Sequence, residues 1–266
     1  DAMRGSTDGI LVAYENLYLK DYTNFKFPCF IQKQRPCFFG FHIMSGMAFV
    51  DLDDDRNYDE IYSEGEGSCF GGFLYLTKNI GTPETPDFNI PYFDTIYLKH
   101  YEEMYYIFII PTVADLNGDG KPDLLVAEYR SDDRLYNVGG FRNISTQTYN
   151  FEYYPLWNIR GEFLISLGLG SFDTFYLHPF CLDLDNDKDY DLMLATYGKF
   201  LLFENIGGTS TPIWKRNETW EKNTNWGLPY DLPQYIFVNN LTAIDLDGDN
   251  FEEIIHCLRG KDKHRL

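Results

Sequence analysis

Four short acidic runs contain the side chains of this chain that are best suited to chemistry. Each begins with an Asp-Leu pair and places side-chain oxygens at relative positions 1, 3, 5 and 9, with a backbone carbonyl available at position 7. A set of ligands made only of oxygen atoms suits a hard cation such as Ca²⁺. Carboxylates this close together would repel one another strongly without a cation. The runs therefore predict up to four calcium sites.

The runs are named here loops 1 to 4, and their predicted ligands include the position-7 residue for its carbonyl. They are Asp51, Asp53, Asp55, Asn57 and Asp59 in loop 1; Asp115, Asn117, Asp119, Lys121 and Asp123 in loop 2; Asp183, Asp185, Asp187, Asp189 and Asp191 in loop 3; and Asp245, Asp247, Asp249, Phe251 and Glu253 in loop 4. Loop 2 matches the pattern best, because Gly120 supplies the glycine expected at position 6, where a positive φ is often needed. Loops 1 and 3 carry Arg56 and Lys188 there, which predicts strain or weaker binding. Loop 4 has Asn250 at position 6 and Glu253 at position 9, and it is the least regular.

A simpler interpretation is that these runs are acidic turns without a metal, since Asp, Asn and Gly all favour turns. Recurrence argues against it. The leading aspartates of the four loops are 64, 68 and 62 residues apart, and the segments around them align without gaps.

The elements that must position the loops are strands. A short apolar run precedes and follows each loop, which predicts a hairpin. A third strand is predicted near 73–76, 135–136 and 200–203, closed by Asn79-Ile-Gly, Asn143-Ile-Ser and Asn205-Ile-Gly, and a fourth apolar stretch follows. Four short strands in each repeat are typical of β-propeller blades. The fold class predicted is all-β.

The repeats begin near residues 48, 112, 180 and 242, within one propeller domain covering 1–266, and residues 1–47 predict a partial blade. This partial blade and the short last repeat are complementary. They could complete one blade of a closed ring of about four, pair between molecules, or belong to a larger propeller.

The loop spacing, repeated at blade intervals, resembles the calcium loops of integrin-alpha FG-GAP repeats and of related VCBS-like repeats. The resemblance covers nearly the whole chain. It implies calcium held in the hairpin between the first two strands of each blade, and it implies an adhesion or binding role.

The composition indicates which classes of partner and which compartment are favoured. A net charge of −19 disfavours nucleic acid, which is bound through clustered Lys and Arg. No apolar stretch approaches the ~20 residues that span a bilayer. Sequons at Asn143, Asn217 and Asn240, and a possible disulfide between Cys29 and Cys37, favour an extracellular protein, secreted or at the cell surface.

Catalytic motifs are missing from the sequence, and the five histidines lack zinc-ligand spacing, so we predict a non-enzymatic protein. The first hypothesis is an extracellular binding or structural module whose ligand is a protein or a glycan. A second is a filament subunit that self-assembles head to tail through incomplete terminal blades. A third is a lectin or polysaccharide-processing propeller. Aromatic segments such as 149–157 either pack between blades or expose rings to such a ligand.

Overall fold

The structure is a computed structural model, and it describes residues 2–5, 11–16, 30–35, 47–62, 73–82, 87, 93–97, 109–130, 135–145, 149–169, 177–196, 199–222, 237–244, 253–259 and 264–265. Strands dominate these ranges. Helical structure within them is limited to one 3-10 turn, Pro155–Trp157, and two short helices, Gly161–Ser166 and Glu218–Glu221. No helix in these ranges is long and apolar enough to cross a membrane.

The described strands form five antiparallel sheets, each built from strands that follow one another along the chain. The first sheet contains β1 (Ala2–Gly5), β2 (Leu11–Asn16) and β3 (Phe30–Arg35); the second β4 (Met47–Val50), β5 (Asp59–Tyr62), β6 (Phe73–Thr77) and β7 (Phe93–Tyr97); the third β8 (Ile109–Ala114), β9 (Asp123–Arg130), β10 (Leu135–Asn143) and β11 (Phe151–Tyr153); the fourth β12 (His178–Leu182), β13 (Asp191–Thr196), β14 (Lys199–Asn205) and β15 (Trp214–Arg216); and the fifth β16 (Phe237–Ile244), β17 (Glu253–Arg259) and β18 (His264–Arg265). The prediction of an all-β fold of blade-like sheets is confirmed. The third strands predicted for the three central blades lie within β6, β10 and β14.

The central strands of the blades alternate between two buried faces. In β9, Leu124 and Val126 pack against the second sheet, whereas Leu125 and Ala127 pack against the fourth. Side chains alternate across a strand, so a strand buried on both faces needs apolar residues at every position. Strand β13 is buried along its whole length, and its four central residues, 192–195, are all apolar. Stacking between successive sheets therefore builds the core.

The first strands of successive sheets lie next to one another: β4 contacts β8, β8 contacts β12, and β12 contacts β16. Each of these strands runs into an acidic loop, and the next strand leads away from it. Each of the three described loops therefore joins the first two strands of its sheet.

The link between the third and fourth sheets contributes to the core as well. Trp157 is 1% exposed and Leu164 is fully buried, and both belong to the apolar cluster shared by these sheets. The indole Nε1 of Trp214 donates to the carbonyl of Trp157 at 3.1 Å. The sequence left open whether the 149–157 segment packs between blades or exposes its rings to a ligand. Trp157 packs between blades, while the neighbouring Leu156 is exposed.

Candidate metal centre

The position-1 aspartate closes each of the three described loops by accepting two backbone hydrogen bonds. In loop 2, the N–H groups of Asp119 and Gly120 donate to Oδ1 and Oδ2 of Asp115 at 3.1 and 2.8 Å. The same pair of bonds, from positions 5 and 6, measures 3.1 and 2.8 Å on Asp51 and 3.1 and 2.9 Å on Asp183. Three separate sequences thus fold into one loop geometry.

This closure brings the carboxylates of positions 1, 3 and 5 together. One ligand oxygen from each of these three residues lies within 4.8 Å of the others in loop 1 and again in loop 3, and these groups are Asp51, Asp53, Asp55 and Asp183, Asp185, Asp187. Loop 2 has Asn117 at position 3, and its Oδ1 accepts the Asp119 N–H at 2.9 Å.

Two buried carboxylate oxygens in these loops fit an oxygen-coordinated cation. Oδ1 of Asp53 and Oδ1 of Asp189 are buried without a hydrogen-bond partner in the described part of the chain. Leaving a charged oxygen buried and unpaired is costly, whereas a hard cation takes such oxygens as ligands. The donor chemistry of the loops therefore suits calcium.

The position-9 aspartates join each loop to the third strand of its blade. Oδ1 of Asp123 accepts the N–H of Asn143 at 2.8 Å, and its Oδ2 accepts the N–H of Leu116 at 3.0 Å. Asp191 makes equivalent bonds to Asn205 and Leu184, at 2.8 and 2.9 Å.

Loop 1 repeats the bond to the third strand, since Asp59 accepts the Asn79 N–H at 2.9 Å. Asp59, Asp123 and Asp191 are at most 2% exposed. The position-9 side chains that we predicted as ligands therefore also have a structural role.

Burial makes these position-9 carboxyls hard to ionise. It raises the pKa of Asp59 to about 6 and the pKa values of Asp123 and Asp191 to about 7, although backbone N–H groups oppose the shift. A bound divalent cation nearby would favour the charged carboxylates. Loop 3 shows the same tendency, since the pKa of Asp189 is raised to about 6, first by burial and then by the charges of Asp187 and Asp185.

The asparagines of the Asn-Ile-Gly and Asn-Ile-Ser triplets each fold a turn between the third and fourth strands. Oδ1 of Asn79 accepts the N–H groups of Gly81 and Asp87 at 3.0 and 2.9 Å. Asn143 and Asn205 each accept two N–H groups in the same way. We call Asn79, Asn143 and Asn205 the turn asparagines. Their recurrence in the sequence was the available signal for this role.

Position 6 adopts a left-handed backbone in each described loop, as the glycine at this position of loop 2 suggested. The φ angles are 70° at Arg56, 83° at Gly120 and 77° at Lys188. Only glycine takes this conformation without a steric cost from Cβ, which is about 1–2 kcal/mol. Loops 1 and 3 therefore hold strain at this position.

Replacing the strained residue with glycine should stabilise the fold. We expect Arg56→Gly and Lys188→Gly to raise the free energy of unfolding by about 0.5–1 kcal/mol, because the relief of strain exceeds the extra entropy of glycine in the unfolded chain. Gly120→Ala should lower it by about 1 kcal/mol. A Cβ at Gly120 would meet nothing within 4 Å, so backbone strain alone would act there.

Urea denaturation measures these changes, with Arg56→Ala as the control that removes the side chain but keeps Cβ. If Arg56→Gly proved no more stable than Arg56→Ala, left-handed strain would not be the cause.

In loop 1, the residue before the turn asparagine contacts the loop, and sequence reasoning missed it. Nζ of Lys78 donates to Oδ2 of Asp53 and lies 3.7 Å from Oδ2 of Asp55. The corresponding residues of loops 2 and 3 are Arg142 and Glu204. The pKa of Asp185 is raised, chiefly by burial and then by nearby carboxylates that include Glu204.

Other predicted sites fall partly outside the described ranges. Residues 245–252 of loop 4 and both Cys29 and Cys37 lie outside them, while Glu253 begins β17. Among described side chains, Cys181 is a free thiol.

The three sequon asparagines differ in setting. Asn143 is 1% exposed because its side chain forms the turn described above. Asn217 is partly exposed and caps the helix Glu218–Glu221 by accepting from Thr219 and Trp220. Asn240 lies within β16. Of the two whose side chains are described, Asn217 is the more accessible for a glycan.

Comparison with known families identifies an FG-GAP repeat at residues 110–141. This match begins in β8, contains the whole of loop 2 and ends in β10. It confirms the resemblance for the repeat whose loop fits the pattern best. A search of curated proteins finds no match.

Proposed function

We propose that this chain, which carries an FG-GAP repeat at residues 110–141, is a non-enzymatic calcium-binding module of the β-propeller type. It works outside the cell, secreted or at the cell surface, where FG-GAP proteins typically function. Calcium holds the acidic loops in shape, and the blades present a surface to a protein or glycan ligand. Residues 1–266 form one propeller domain.

The observation that carries this proposal is the common geometry of the three described loops. In each, two hydrogen bonds to the position-1 aspartate turn the chain. In loops 1 and 3, one oxygen from each of positions 1, 3 and 5 lies within 4.8 Å of the others. Simple acidic turns would not need the same ligand spacing three times.

The groups that would hold the ion are the side chains of positions 1, 3, 5 and 9 and the carbonyl of position 7. Calcium accepts six to eight oxygen ligands in flexible arrangements, whereas Mg²⁺ demands a nearly ideal octahedron. A loop that offers several carboxylates and a backbone carbonyl suits the first ion better than the second. We therefore expect selectivity for calcium over magnesium.

Calorimetric titration of the calcium-free chain with CaCl₂ tests the proposal. We expect three or four ions bound per chain, with Kd values between about 10⁻⁷ and 10⁻³ M, the range of sensor and extracellular sites. Asp187→Asn should remove or weaken one site, because it deletes a charged position-5 ligand of loop 3 while preserving shape.

Glu162→Gln is the matched control, since Glu162 is an exposed acid outside the loops and should leave all sites intact. A chain that binds no calcium at millimolar concentration would refute the proposal. So would binding that depends as much on Glu162 as on Asp187.

A further inference from the structure

The residue that precedes the turn asparagine is basic beside two of the described loops and acidic beside the third. It is Lys78 beside loop 1, Arg142 beside loop 2 and Glu204 beside loop 3. The three loops share the two hydrogen bonds to the position-1 aspartate and the hydrogen bond from the turn asparagine to the position-9 aspartate. The residue before the turn asparagine therefore places a different charged group beside loops of similar backbone geometry.

In loop 1, the Lys78 ammonium lies among the atoms that would bind a cation. It contacts Oδ2 of Asp53 and lies 3.7 Å from Oδ2 of Asp55, so it bridges positions 3 and 5. The contact satisfies only part of the site, because Oδ1 of Asp53 stays buried without a partner. The Lys78 side chain is 43% exposed, so its flexible stem can carry the charge into solvent.

We propose that Lys78 is a tethered cation that competes with calcium for loop 1, so that the charge at this position ranks the affinities of the loops. The inference depends on the proposed function. Calcium can take both Asp53 and Asp55 only after the ammonium leaves, which weakens binding. Loop 1 is then the last of the three described loops to fill as calcium rises.

Loop 2 escapes this competition because its arginine is held elsewhere. Nη2 of Arg142 donates to Oε2 of Glu152 at 3.3 Å, and the guanidinium lies over the Tyr154 ring, 5.2 Å from its centre. These contacts turn its charge toward the fourth strand. We therefore expect Arg142 to have little effect on calcium at loop 2.

Loop 3 has the opposite sign at this position. Glu204 places a negative charge directly before the turn asparagine of loop 3, and its Oε2 accepts a hydrogen bond from the side-chain amide of Asn217 at 3.0 Å. An added negative charge attracts a divalent cation. The expected order of affinity is loop 3, then loop 2, then loop 1.

A titration with CaCl₂ in a background that carries Asp119→Asn and Asp187→Asn tests the inference, because loops 2 and 3 are weakened there. Lys78→Met should raise the affinity of one site by at least about five-fold, since a unit charge about 4 Å away is worth about 1 kcal/mol even in water. Lys78→Arg should not, because it keeps the charge. Circular dichroism before titration confirms that each variant is folded.

Two further variants locate the effect. If the rise in calcium affinity arises in loop 1, adding Asp51→Asn to Lys78→Met should abolish it. Arg142→Met in the native chain should leave the calcium affinities unchanged. Equal affinity for Lys78→Met and its parent, in a protein that does bind calcium, would overturn the role of Lys78 and leave the proposed function standing. Failure of the native chain to bind calcium would instead overturn the proposed function.

Discussion

Chelation of calcium with EGTA should lower the thermal midpoint of this protein by about 10 °C or more. A ligand that binds only the folded state stabilises it by about 2.7 kcal/mol per site when its concentration is 100 times Kd. Three such sites act on one cooperative core, because the described loops belong to sheets that pack on each other. A change of 1 kcal/mol shifts the midpoint of a domain of this size by about 2–4 °C.

The physical source of this effect is the charge collected in the loops. Asp51, Asp53 and Asp55 lie close together, and Asp183, Asp185 and Asp187 form a second such group. Mutual repulsion opposes folding whenever no cation is bound. Calcium removes the repulsion and supplies ligand bonds that the unfolded chain cannot form in the same geometry.

Calorimetric melting in excess calcium, excess magnesium and EGTA measures the shift. A variant with Asp55→Asn, Asp119→Asn and Asp187→Asn serves as the control, because it should melt at nearly the same temperature with and without calcium. If the native chain melts identically in calcium and EGTA, the loops do not hold a stabilising ion.

Asp123→Ala should destabilise the fold by about 2–5 kcal/mol whether or not calcium is present. Asp123 is fully buried and accepts the N–H groups of Asn143 and Leu116 as well as the side-chain amide of Asn117 at 3.1 Å. Its removal leaves buried donors without partners, and each such group costs about 1–3 kcal/mol. The loop would also lose its connection to β10.

Asp119→Asn is the comparison that separates the two roles within one loop. Asp119 is exposed and contributes a negative charge to the predicted metal site. Its Oδ1 accepts the Lys121 N–H at 3.0 Å. Asparagine keeps that acceptor. In EGTA, urea denaturation should therefore show a large fall in the free energy of unfolding for Asp123→Ala and a small one for Asp119→Asn. Added calcium should stabilise Asp119→Asn less than it stabilises the native chain. Equal behaviour of the two variants in EGTA would contradict a structural role for position 9.

Much of the blade architecture could be predicted from local patterns. An acidic loop between two apolar runs indicates a hairpin, and the third strands near Phe73, Leu135 and Phe200 follow from the same repeat. The left-handed conformation that Gly120 indicates at position 6 could also be predicted for Arg56, because the loops align without gaps. These features depend on residues that are close in sequence.

Features that depend on distant residues could not be predicted in this way. The position-9 aspartates appeared to be simple ligands because their partners, Asn79, Asn143 and Asn205, follow 20, 20 and 14 residues later. Lys78 and Asp53 are 25 residues apart and meet only once the third strand pairs with the second. The insertion of Trp157 into the core likewise requires the third and fourth sheets to be in place.

The hydrogen bond between each turn asparagine and its position-9 aspartate provides a probe of the loops. The backbone amides of Asn79, Asn143 and Asn205 each donate to the aspartate that ends the loop of the same blade. Exchange of these amide hydrogens with deuterated solvent therefore depends on whether that loop stays closed. The three amides allow nuclear magnetic resonance to follow each loop separately, without a label attached to any of them.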